Sequence, residues 1–425
     1  MPLTSLKFIE FMKILVLNAG SSSQKSCLYQ LDDTLPELAP APLWEAKVDW
    51  TKHPGIAELE VKARGAVLEE ELQTSSRPDV IAHMLETLWS GDTQVIANPA
   101  DIDIVGHRVV HGGQEYRQAT LITPEVKEAI ANLSTFAPIH NPVNLEGIEA
   151  IEKILGTATP QIAVFDTAFH SNLPLWAAVY PIPYELFEQG IRRYGFHGIS
   201  HQYCACRTAQ LMGKELASLR LITCHLGNGA SLAAIRNAQS IDTTMGFTPL
   251  EGLMMGTRSG SIDPGILIHL LQHSDYDAQK LDEVLNKASG LKGISGVSGD
   301  VRQIMSEIDT GNPRAQLAFD MFVHSLRKHI GAMLASLGGL DALVFTGGIG
   351  ENSAAIRASA CEAFEFLGLK LDSQKNKASP ADTDIAQEDS AIRVFVVHTE
   401  EDWAIAQECW KLAKANQLGT EKTAV

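Results

Sequence analysis

Residues 13–25 read KILVLNAGSSSQK, and this stretch decides the fold. The apolar run at 13–17 predicts a buried strand, and the small residues after it predict a turn into a return strand at 26–31. Glycine lets a backbone approach a ligand closely, and backbone N–H groups with serine hydroxyls can bind phosphate oxygens. The turn therefore indicates either a phosphate-binding loop, with Lys25 adding positive charge, or simply a tight hairpin.

A second stretch of the chain repeats this design. An apolar strand at 219–223 leads through HLGNGAS (225–231) into a return strand at 232–236. A third glycine-rich turn, TGGIGEN (346–352), precedes a predicted helix at 353–366. The repetition favours phosphate binding, although the chain contains neither a GxxxxGK[ST] loop nor a complete GxGxxG fingerprint. A nucleotide would therefore need another kind of cradle.

Strands alternate with helices along the rest of the chain, which is typical of α/β proteins. Further strands are predicted at 103–110, 160–166, 340–345 and 391–397, and helices at 78–89, 124–133, 143–155, 202–213, 263–273, 279–288, 313–337 and 400–415. The segment 32–75 shows a mixed pattern. The polar segment 371–390 predicts an exposed loop.

The composition excludes several classes of protein. Among 425 residues, 34 Lys and Arg against 51 Asp and Glu give a net charge of −17, which disfavours a nucleic-acid partner. A few arginines in one site can still bind an anionic substrate. No apolar run approaches the roughly 18 residues that span a bilayer. Charged Glu10 and Lys13 interrupt the apolar start, so we interpret it as a short extension, with Met12 a possible first residue.

The six cysteines form no CxxC pair, which predicts reduced thiols and a cytoplasmic location. Seven histidines cluster in the middle of the chain, at 107, 111, 140, 170, 197, 201 and 225. The pairs 107/111 and 197/201 have the four-residue spacing of zinc ligands on a helix. However, the glycines around His197 argue against a helix there. Hydrogen bonding to an anionic substrate, or a structural role, is favoured over metal ligation.

Two arginines and four acids are the remaining candidates. Arg108 and Arg258 lie beside glycines, where a guanidinium can form a two-pronged contact with a carboxylate or phosphoryl group, or can form a salt bridge. Asp166 ends a predicted strand, where α/β proteins bind ligands. It is a candidate base, magnesium–water ligand, orienter or helix cap. Residues 400–402 are all acidic and would either complement the helix dipole or bind Mg²⁺.

Together these motifs resemble those of the acetate kinase family, which belongs to the superfamily of acetate and sugar kinases, heat-shock ATPases and actin. The matching segments run in order over about residues 12–410: NAGSSSQK (18–25), GHRVVHGG (106–113), APIHNP (137–142), FDTAFH (165–170), RRYGFHGISH (192–201), HLGNGAS (225–231), DTTMGFTPLEGLMMGTRSGSIDPG (242–265) and FTGGIGENS (345–353). The family motif Thr-Asn-Glu-Glu reads Thr399-Glu-Glu-Asp402 in this chain.

The resemblance implies a two-domain actin-like ATPase fold of the α/β class, with duplicated mixed-sheet cores and an interdomain nucleotide cleft. The implied N-terminal domain covers 12–168, with a C-terminal helix at 402–416 packing back on it. The C-terminal domain covers 169–401, and 1–11 and 417–425 are flexible ends. The resemblance further implies a homodimer packed through the C-terminal domain.

The resemblance also implies roles for individual residues. Asn18 and Glu401 would position Mg²⁺, for which Mn²⁺ could substitute. Asp166, His197 and Arg258 would be catalytic. The substrate-binding set is Arg108, Val110, Ile139, His140, Phe196 and Pro249, in which Val110, Ile139, Phe196 and Pro249 wall a methyl pocket. The nucleotide-binding set is Ser21, Ser23, Lys25, His225, Leu226, Gly227, Asn228, Gly229, Asp300, Val301, Arg302, Gly348, Ile349, Gly350, Glu351 and Asn352.

The implied activity is reversible transfer of the γ-phosphoryl group from ATP to acetate, giving acetyl phosphate and ADP. Propionate or butyrate could replace acetate, because one methylene discriminates by only ~1–3 kcal/mol in an apolar pocket. An ATPase without a carboxylate substrate and a zinc hydrolase are further alternatives.

Overall fold

The structure is a computed structural model that describes residues 11–20, 23–51, 53, 55–73, 76–138, 140–378 and 381–422, with side chains up to residue 415. It separates into two compact units. Unit 1 comprises Met1–Ala168 with Glu400–Val425, and unit 2 comprises Phe169–Thr399. Within the described residues, no helix is both long enough and apolar enough to span a bilayer.

The described strands are β1 (Met12–Ala19), β2 (Ser23–Leu31), β3 (Trp44–Asp49), β4 (Ile56–Ala63), β5 (Ala66–Gln73), β6 (Ile104–Val109), β7 (Thr120–Leu121), β8 (Gln161–Phe165), β9 (Arg220–Leu226), β10 (Ala230–Arg236), β11 (Gln239–Thr243), β12 (Ala342–Thr346), β13 (Thr383–Asp384) and β14 (Arg393–Val396). The α-helices are α1 (Arg77–Glu86), α2 (Pro124–Asn132), α3 (Asn141–Leu155), α4 (Leu175–Ala178), α5 (Tyr184–Glu188), α6 (Gly198–Met212), α7 (Pro264–His273), α8 (Ala278–Lys287), α9 (Gly290–Ser295), α10 (Val301–Asp309), α11 (Pro313–Leu337), α12 (Gly347–Asn352), α13 (Ala354–Glu362), α14 (Ser373–Ala378) and α15 (Glu401–Lys422).

The two units contain sheets of the same design. The sheet of unit 1 has the order β5-β4-β3-β2-β1-β6-β8-β7, and that of unit 2 has the order β11-β10-β9-β12-β14-β13. In each, an antiparallel hairpin (β1–β2 or β9–β10) is followed by two parallel neighbours and an antiparallel edge strand. The predicted repeat of two hairpins is therefore confirmed and extends to the whole six-strand sheet, with β4 and β5 added in unit 1.

Strand alternation places the core and the functional residues of unit 1 on opposite faces of β6. Val105 packs in the core formed with α1 and α3, so Gly106 and Arg108 face the other way, toward α15. Gly106 is required there because a Cβ would lie 2.6 Å from Sγ of Cys409 and 2.7 Å from Cγ2 of Ile405. The side chains of Ile405 and Cys409 in α15 therefore pack directly against the backbone of β6 at Gly106.

In unit 2, α6 covers one face of the sheet and α11 covers the other. The α6 side buries Leu221, Ala233, Val344 and neighbouring apolar residues against Cys204 and Ala205. Helix α11 contacts β9, β10 and β11. Because alternate residues of β9 share a face, His225 lies on the α6 side together with Leu221 and Thr223.

Several local predictions were wrong. The mixed segment 32–75 contains three strands, β3 to β5, and in β3 and β4 charged residues alternate with buried apolar ones. The glycine turn at 346–352 is a helix, α12, and the loop 371–390 contains α14 and β13. The C-terminal helix continues to Lys422 rather than ending near 415.

Candidate functional site

The carboxyl ends of the parallel strands in unit 1 bring three sequence-predicted residues together. Asn18 lies near the end of β1, Arg108 near the end of β6, and Asp166 directly follows β8. Strands β1, β6 and β8 are neighbours in that order and parallel. This edge is where α/β sheets bind ligands.

Arg108 and Asp166 form a buried ion pair. Nη2 of Arg108 donates to Oδ2 of Asp166 at 2.6 Å, and the two side chains are 15% and 1% exposed. Burial disfavours the arginine charge, but Asp166 and Glu401 outweigh it and raise the pKa of Arg108 above its ordinary value. Arg108 Nη1 also donates to the carbonyl of Ala19 at 3.4 Å. The guanidinium is therefore held in one orientation and stays charged.

The start of α15 supplies two carboxylates to the same edge. Nδ2 of Asn18 donates to Oε2 of Glu401 at 3.2 Å and to Oδ1 of Asp402 at 2.9 Å. Burial raises the pKa of Asp402. Lys25 lies opposite Asn18 in the β1–β2 ladder, with its side chain exposed. These carboxylate and amide oxygens are of the type that Mg²⁺ prefers.

The predicted substrate residues of unit 1 lie after β6 and before α3. Val110 is buried, and its N–H donates to Oδ1 of Asn144 at 3.1 Å. Nδ2 of Asn144 donates to the carbonyl of Ala19 at 3.3 Å, so Asn144 ties the ends of β1 and β6 to α3. His140 is half-buried at the start of α3. Ile139 and Ser21 lie outside the described residues, and Ser23 begins β2.

In unit 2, His197 precedes α6 in a left-handed conformation, with φ of 57°. Such a backbone costs a non-glycine residue about 1–2 kcal/mol and often marks a functional site. Its Nδ1 lies 2.8 Å from Oγ of Ser231, and its ring stacks on that of His225 with centroids 4.2 Å apart. Phe196, the residue before it, is fully buried.

The β9–β10 turn brings His197 near Arg258. A Cβ on Gly229 would lie 3.3 Å from Nε2 of His197 and 3.5 Å from Nη1 of Arg258. The turn is closed by the N–H of Gly227 donating to the carbonyl of Gly229 at 2.9 Å, with Asn228 exposed at its tip. Leu226 is fully buried, so only its backbone can face a ligand. Glycine at 229 thus keeps the gap between the two side chains open.

The Arg258 guanidinium is held by a main-chain carbonyl. Its Nη1 donates to the carbonyl of Pro249 at 2.9 Å, and burial lowers the pKa of Arg258 from its ordinary value. A positive charge buried in this way is stabilised when an anionic ligand binds next to it. Arg258 and Pro249, separated in sequence by a glycine-rich segment, are thereby fixed to each other.

The predicted nucleotide residues at 300–302 and 348–352 occupy two helix starts in unit 2. Asp300 caps α10 and pairs with Arg302 at 2.6 Å, and Arg302 is 90% exposed. Val301 turns its side chain inward. In α12, Gly348 and Asn352 are exposed and Ile349 is half-buried, whereas Gly350 is buried. Burial opposes the charge of Glu351, but its hydrogen bond with His398 (2.6 Å) leaves the pKa of Glu351 below its ordinary value.

Most of the other clustered histidines are buried in hydrogen-bond networks. Burial lowers the pKa of His107, His111 and His170 to about 4, so these rings are neutral at pH 7. Nε2 of His107 lies 2.7 Å from Gln161, and Nε2 of His170 lies 3.1 Å from the carbonyl of Phe196. Among the described residues, no three His, Cys, Asp or Glu side chains form a group suited to a metal ion.

Comparison with known proteins adds the decisive observation. The sequence model of the acetokinase family matches residues 13–407, nearly the whole chain. The chain belongs to the acetokinase family. An acetate kinase of Cyanothece sp. (strain PCC 7425 / ATCC 29141) is 64% identical over 406 residues, which cover 95% of this chain and 99% of that protein.

Solved structures of the family have the same fold. The structure of Porphyromonas gingivalis acetate kinase matches with a TM-score of 0.86 and 40% identity, covering 95% of this chain and all of that one. A propionate kinase from Francisella tularensis subsp. tularensis SCHU S4 matches with a TM-score of 0.84 and 38% identity, covering 93% and 98%. The sequence-based expectation of the acetate kinase family and its α/β fold is therefore confirmed.

Sequence reasoning missed several residues that hold the site together in this family member. Asn144, Ser231 and Ser200 each bond a predicted site residue or its neighbouring backbone. Ser231 and Ser200 lie inside the matching segments 225–231 and 192–201, but no role was predicted for either. Asp402 was noticed only as one of three acids opening a helix, whereas its carboxylate accepts from Asn18. Such partners can be identified only from the folded structure, because the residues they bond lie 25 to 384 positions away in the sequence.

Proposed function

We propose that this chain transfers the γ-phosphoryl group of ATP to acetate, directly and reversibly, giving acetyl phosphate and ADP in the cytoplasm. The observation that carries the proposal is the Arg108–Asp166 pair beside Asn18 and Glu401, at the carboxyl ends of β1, β6 and β8. A charged fork and oxygen ligands at one edge are what a carboxylate acceptor and a metal-bound phosphate chain require. Membership of the acetokinase family supports the same assignment.

Arg108 would bind the acetate carboxylate or the transferring phosphoryl group. Acetate is already ionised at pH 7, so no base has to remove a proton from it. Asp166 would therefore orient Arg108, or a magnesium-bound water, rather than act as a general base. The 2.6 Å bond to Arg108 supports the orienting role.

Unit 1 offers two carboxylates and one amide at this edge, which are oxygen donors of the types that Mg²⁺ accepts. Asn18 and Glu401 would hold it, and Mn²⁺ could replace it because both accept carboxylate and carbonyl oxygens. Mg²⁺ in such sites usually uses only one or two carboxylates, with phosphate oxygens and waters as the remaining ligands. When bound, it neutralises charge on the β- and γ-phosphates.

His197 and Arg258 would act on the transferring phosphoryl group. The γ-phosphoryl group passes through a loose transition state with charge on its equatorial oxygens. His197 and Arg258 would stabilise this charge, since Nε2 and Nη1 both lie within 3.5 Å of one point beside Gly229. The nucleotide would be bound by Ser21, Ser23, Lys25, the stretch 225–229, the stretch 300–302 and the stretch 348–352.

Val110, Ile139, Phe196 and Pro249 would contact the acetate methyl group, and His140 would be a further substrate-binding residue. Val110 and Phe196 are buried, which gives them fixed positions. A rigid apolar wall rejects a longer acid by steric overlap.

The substrate assignment can be tested by trapping acyl phosphate as the hydroxamate, with ATP and acetate, propionate or butyrate in parallel. We expect the highest kcat/KM with acetate and no product after chelation of divalent cations. A higher kcat/KM with propionate or butyrate would show that one of these acids, rather than acetate, is the preferred substrate. Release of ADP at the same rate with and without a carboxylate would instead identify an ATPase.

Asp166→Asn tests two points: whether Asp166 is needed for catalysis, and whether it acts as a base. The amide keeps the shape but weakens the charged bond to Arg108, so kcat should fall by about 10- to 100-fold. The pH profile of kcat should keep its shape, because no proton is transferred to Asp166. Turnover close to that of the wild type would contradict any essential role, and loss of one limb of the pH profile would identify a base.

A homodimer is part of the proposal, and α7 of unit 2 supports it. Ile266, Ile268 and Leu271 are 47–55% exposed on this helix, none of whose residues is buried. Ile268 and Leu271 are three residues apart and share one face of α7, and an exposed apolar face of this kind marks a protein contact. Light scattering should give about twice the chain mass of 46.1 kDa, and Ile268→Glu with Leu271→Glu should give the monomer.

Phe366→Glu is the matched control for this prediction. It places the same charge at an apolar residue of unit 2 that is 79% exposed and lies outside α7. We expect this variant to remain a dimer. A monomeric wild type, or a dimer that survives both α7 substitutions, would contradict the assignment of α7 to the interface.

A further inference from the structure

A continuous chain of buried hydrogen bonds leads from the sheet of unit 2 to His197. Oγ1 of Thr223 on β9 lies 2.7 Å from Nδ1 of His201, and Nε2 of His201 lies 2.8 Å from Oγ of Ser231 on β10. The same Oγ lies 2.8 Å from Nδ1 of His197. Thr223, His201 and Ser231 are all fully buried. No water is needed to complete the chain.

The hydroxyl and ring N–H groups of these hydrogen bonds can donate in only two directions, either toward His197 or away from it. Burial lowers the pKa of His201 well below its ordinary value, so its ring is neutral and carries one N–H. Both ring nitrogens face a hydroxyl, so one hydroxyl must donate to His201 and the other must accept from it. Ser231 has one hydrogen and therefore donates either to His197 or to His201.

Thr223 selects between the two directions. Among the described residues, His201 is the single hydrogen-bond partner of the Thr223 hydroxyl. If His201 donated to Thr223, the threonine hydrogen would be buried without an acceptor, which is costly. Thr223 therefore donates to Nδ1 of His201. His201 then donates from Nε2 to Ser231, and Ser231 donates to Nδ1 of His197.

We propose that Thr223, His201 and Ser231 are positioning residues that hold His197 as the neutral tautomer with its proton on Nε2. The tautomer follows from the hydrogen bonds alone, and only the use of the Nε2 proton in phosphoryl transfer rests on the proposed function. Nε2 points toward the space beside Gly229 that Arg258 also approaches. There it can donate a hydrogen bond to a phosphoryl oxygen without placing a second full positive charge next to the buried guanidinium.

The neighbouring ring is held by the same design. Oγ of Ser200 lies 2.8 Å from Nδ1 of His225, and Oγ1 of Thr399 donates to Oγ of Ser200 at 3.0 Å. His225 stacks on His197, so each of the two rings is held through Nδ1 by a serine hydroxyl. Protonating both stacked rings would place two positive charges 4.2 Å apart, whereas two neutral rings can stack without repulsion.

The tautomer can be read directly in protein free of nucleotide and acetate. Long-range ¹H–¹⁵N spectra of ¹⁵N-histidine-labelled protein distinguish a protonated from an unprotonated ring nitrogen, and His197→Asn assigns the His197 signals. We expect the wild type to show the proton on Nε2. In Ser231→Ala, which removes the donor to Nδ1, a population with the proton on Nδ1 should appear.

Ser240→Ala is the matched control. Ser240 is also fully buried in the sheet of unit 2, and its Oγ lies 2.7 Å from Nδ1 of another histidine, His170. Ser240 forms no hydrogen bond with Thr223, His201, Ser231 or His197 among the described residues, so the proton of His197 should stay on the same nitrogen. Ser231→Thr keeps the hydroxyl and should restore the wild-type spectrum.

Kinetics separate this inference from the proposed function. Ser231→Ala should lower kcat by about 10- to 100-fold, as for other partners that orient a functional histidine, with KM for ATP changed less than about twofold. An unchanged tautomer in Ser231→Ala, or a wild-type proton on Nδ1, would overturn the inference. A changed tautomer with unchanged kcat would support the chain to His197 but contradict the role of His197 in phosphoryl transfer.

Discussion

Arg108→Ala should lower kcat for acetyl phosphate formation by about 10³-fold, one of the two largest effects we expect. The substitution removes the charged fork that would hold acetate or the transferring phosphoryl group. It also leaves Asp166, which is 1% exposed, without its cation. The rate should be measured at saturating ATP and acetate, so that a loss in kcat is separated from a loss in binding.

Two further variants control for damage to the fold. Breaking a buried ion pair from one side costs about 3–5 kcal/mol, so the folded state of Arg108→Ala must be confirmed by its thermal unfolding. Arg108→Lys keeps a charge near Asp166 but loses the fork, and we expect an intermediate rate. Arg117→Ala removes an exposed arginine of unit 1 whose Nε donates to the Gln114 carbonyl, and should leave the rate unchanged. A folded Arg108→Ala protein with normal kcat would refute the role of Arg108.

Arg258→Ala is expected to have a loss of similar size, about 10³-fold in kcat, since an arginine that stabilises phosphoryl-transfer charge contributes at least this much. Arg258 is anchored to the carbonyl of Pro249, and burial already disfavours its charge. Its charge is therefore most favourable when an anion is next to it. KM for acetate should change much less than kcat, because the charge it meets develops in the transition state.

Arg220→Ala provides the comparison within unit 2. Arg220 pairs with Asp341 at the surface, so its removal should cost little stability and leave kcat unchanged. A loss of KM alone in Arg258→Ala would assign Arg258 to ground-state binding. An equal loss in both arginine variants would show that the effect is structural.

The sequence predicted the centre of each sheet better than its edges. The hairpins β1–β2 and β9–β10 follow from apolar runs that flank turns of small residues, and both were predicted. Strands β3 to β5 were missed although charged and apolar residues alternate in β3 and β4, because the prolines at 36, 40, 42 and 54 and the run of three glutamates in β5 favour irregular structure. Helix α12 was missed because its glycines disfavour a helix locally, whereas Arg357 binds the carbonyls of Gly350 and Glu351.

The candidate site was predictable to the extent that its residues carry distinctive chemistry. Arg108, Asp166 and Asn18 stand at ends of predicted strands, and the structure brings them together at one edge of the sheet. The chain through His201 and Ser231 was not predictable, because serine hydroxyls are common and their partners are fixed only by the packing of α6 on β9 and β10. The role of a short polar side chain depends on its position in the folded structure and is not visible in the sequence pattern.

The most direct test of the central claim is ³¹P NMR of the reaction of ATP with acetate in the presence of Mg²⁺. We predict that the γ-phosphate signal of ATP decreases at the same rate as the acetyl phosphate signal increases, without accumulation of inorganic phosphate. The reverse reaction should appear when acetyl phosphate and ADP are supplied. Loss of the γ-phosphate signal into inorganic phosphate, with no acetyl phosphate, would contradict the account and identify a nucleotide hydrolase.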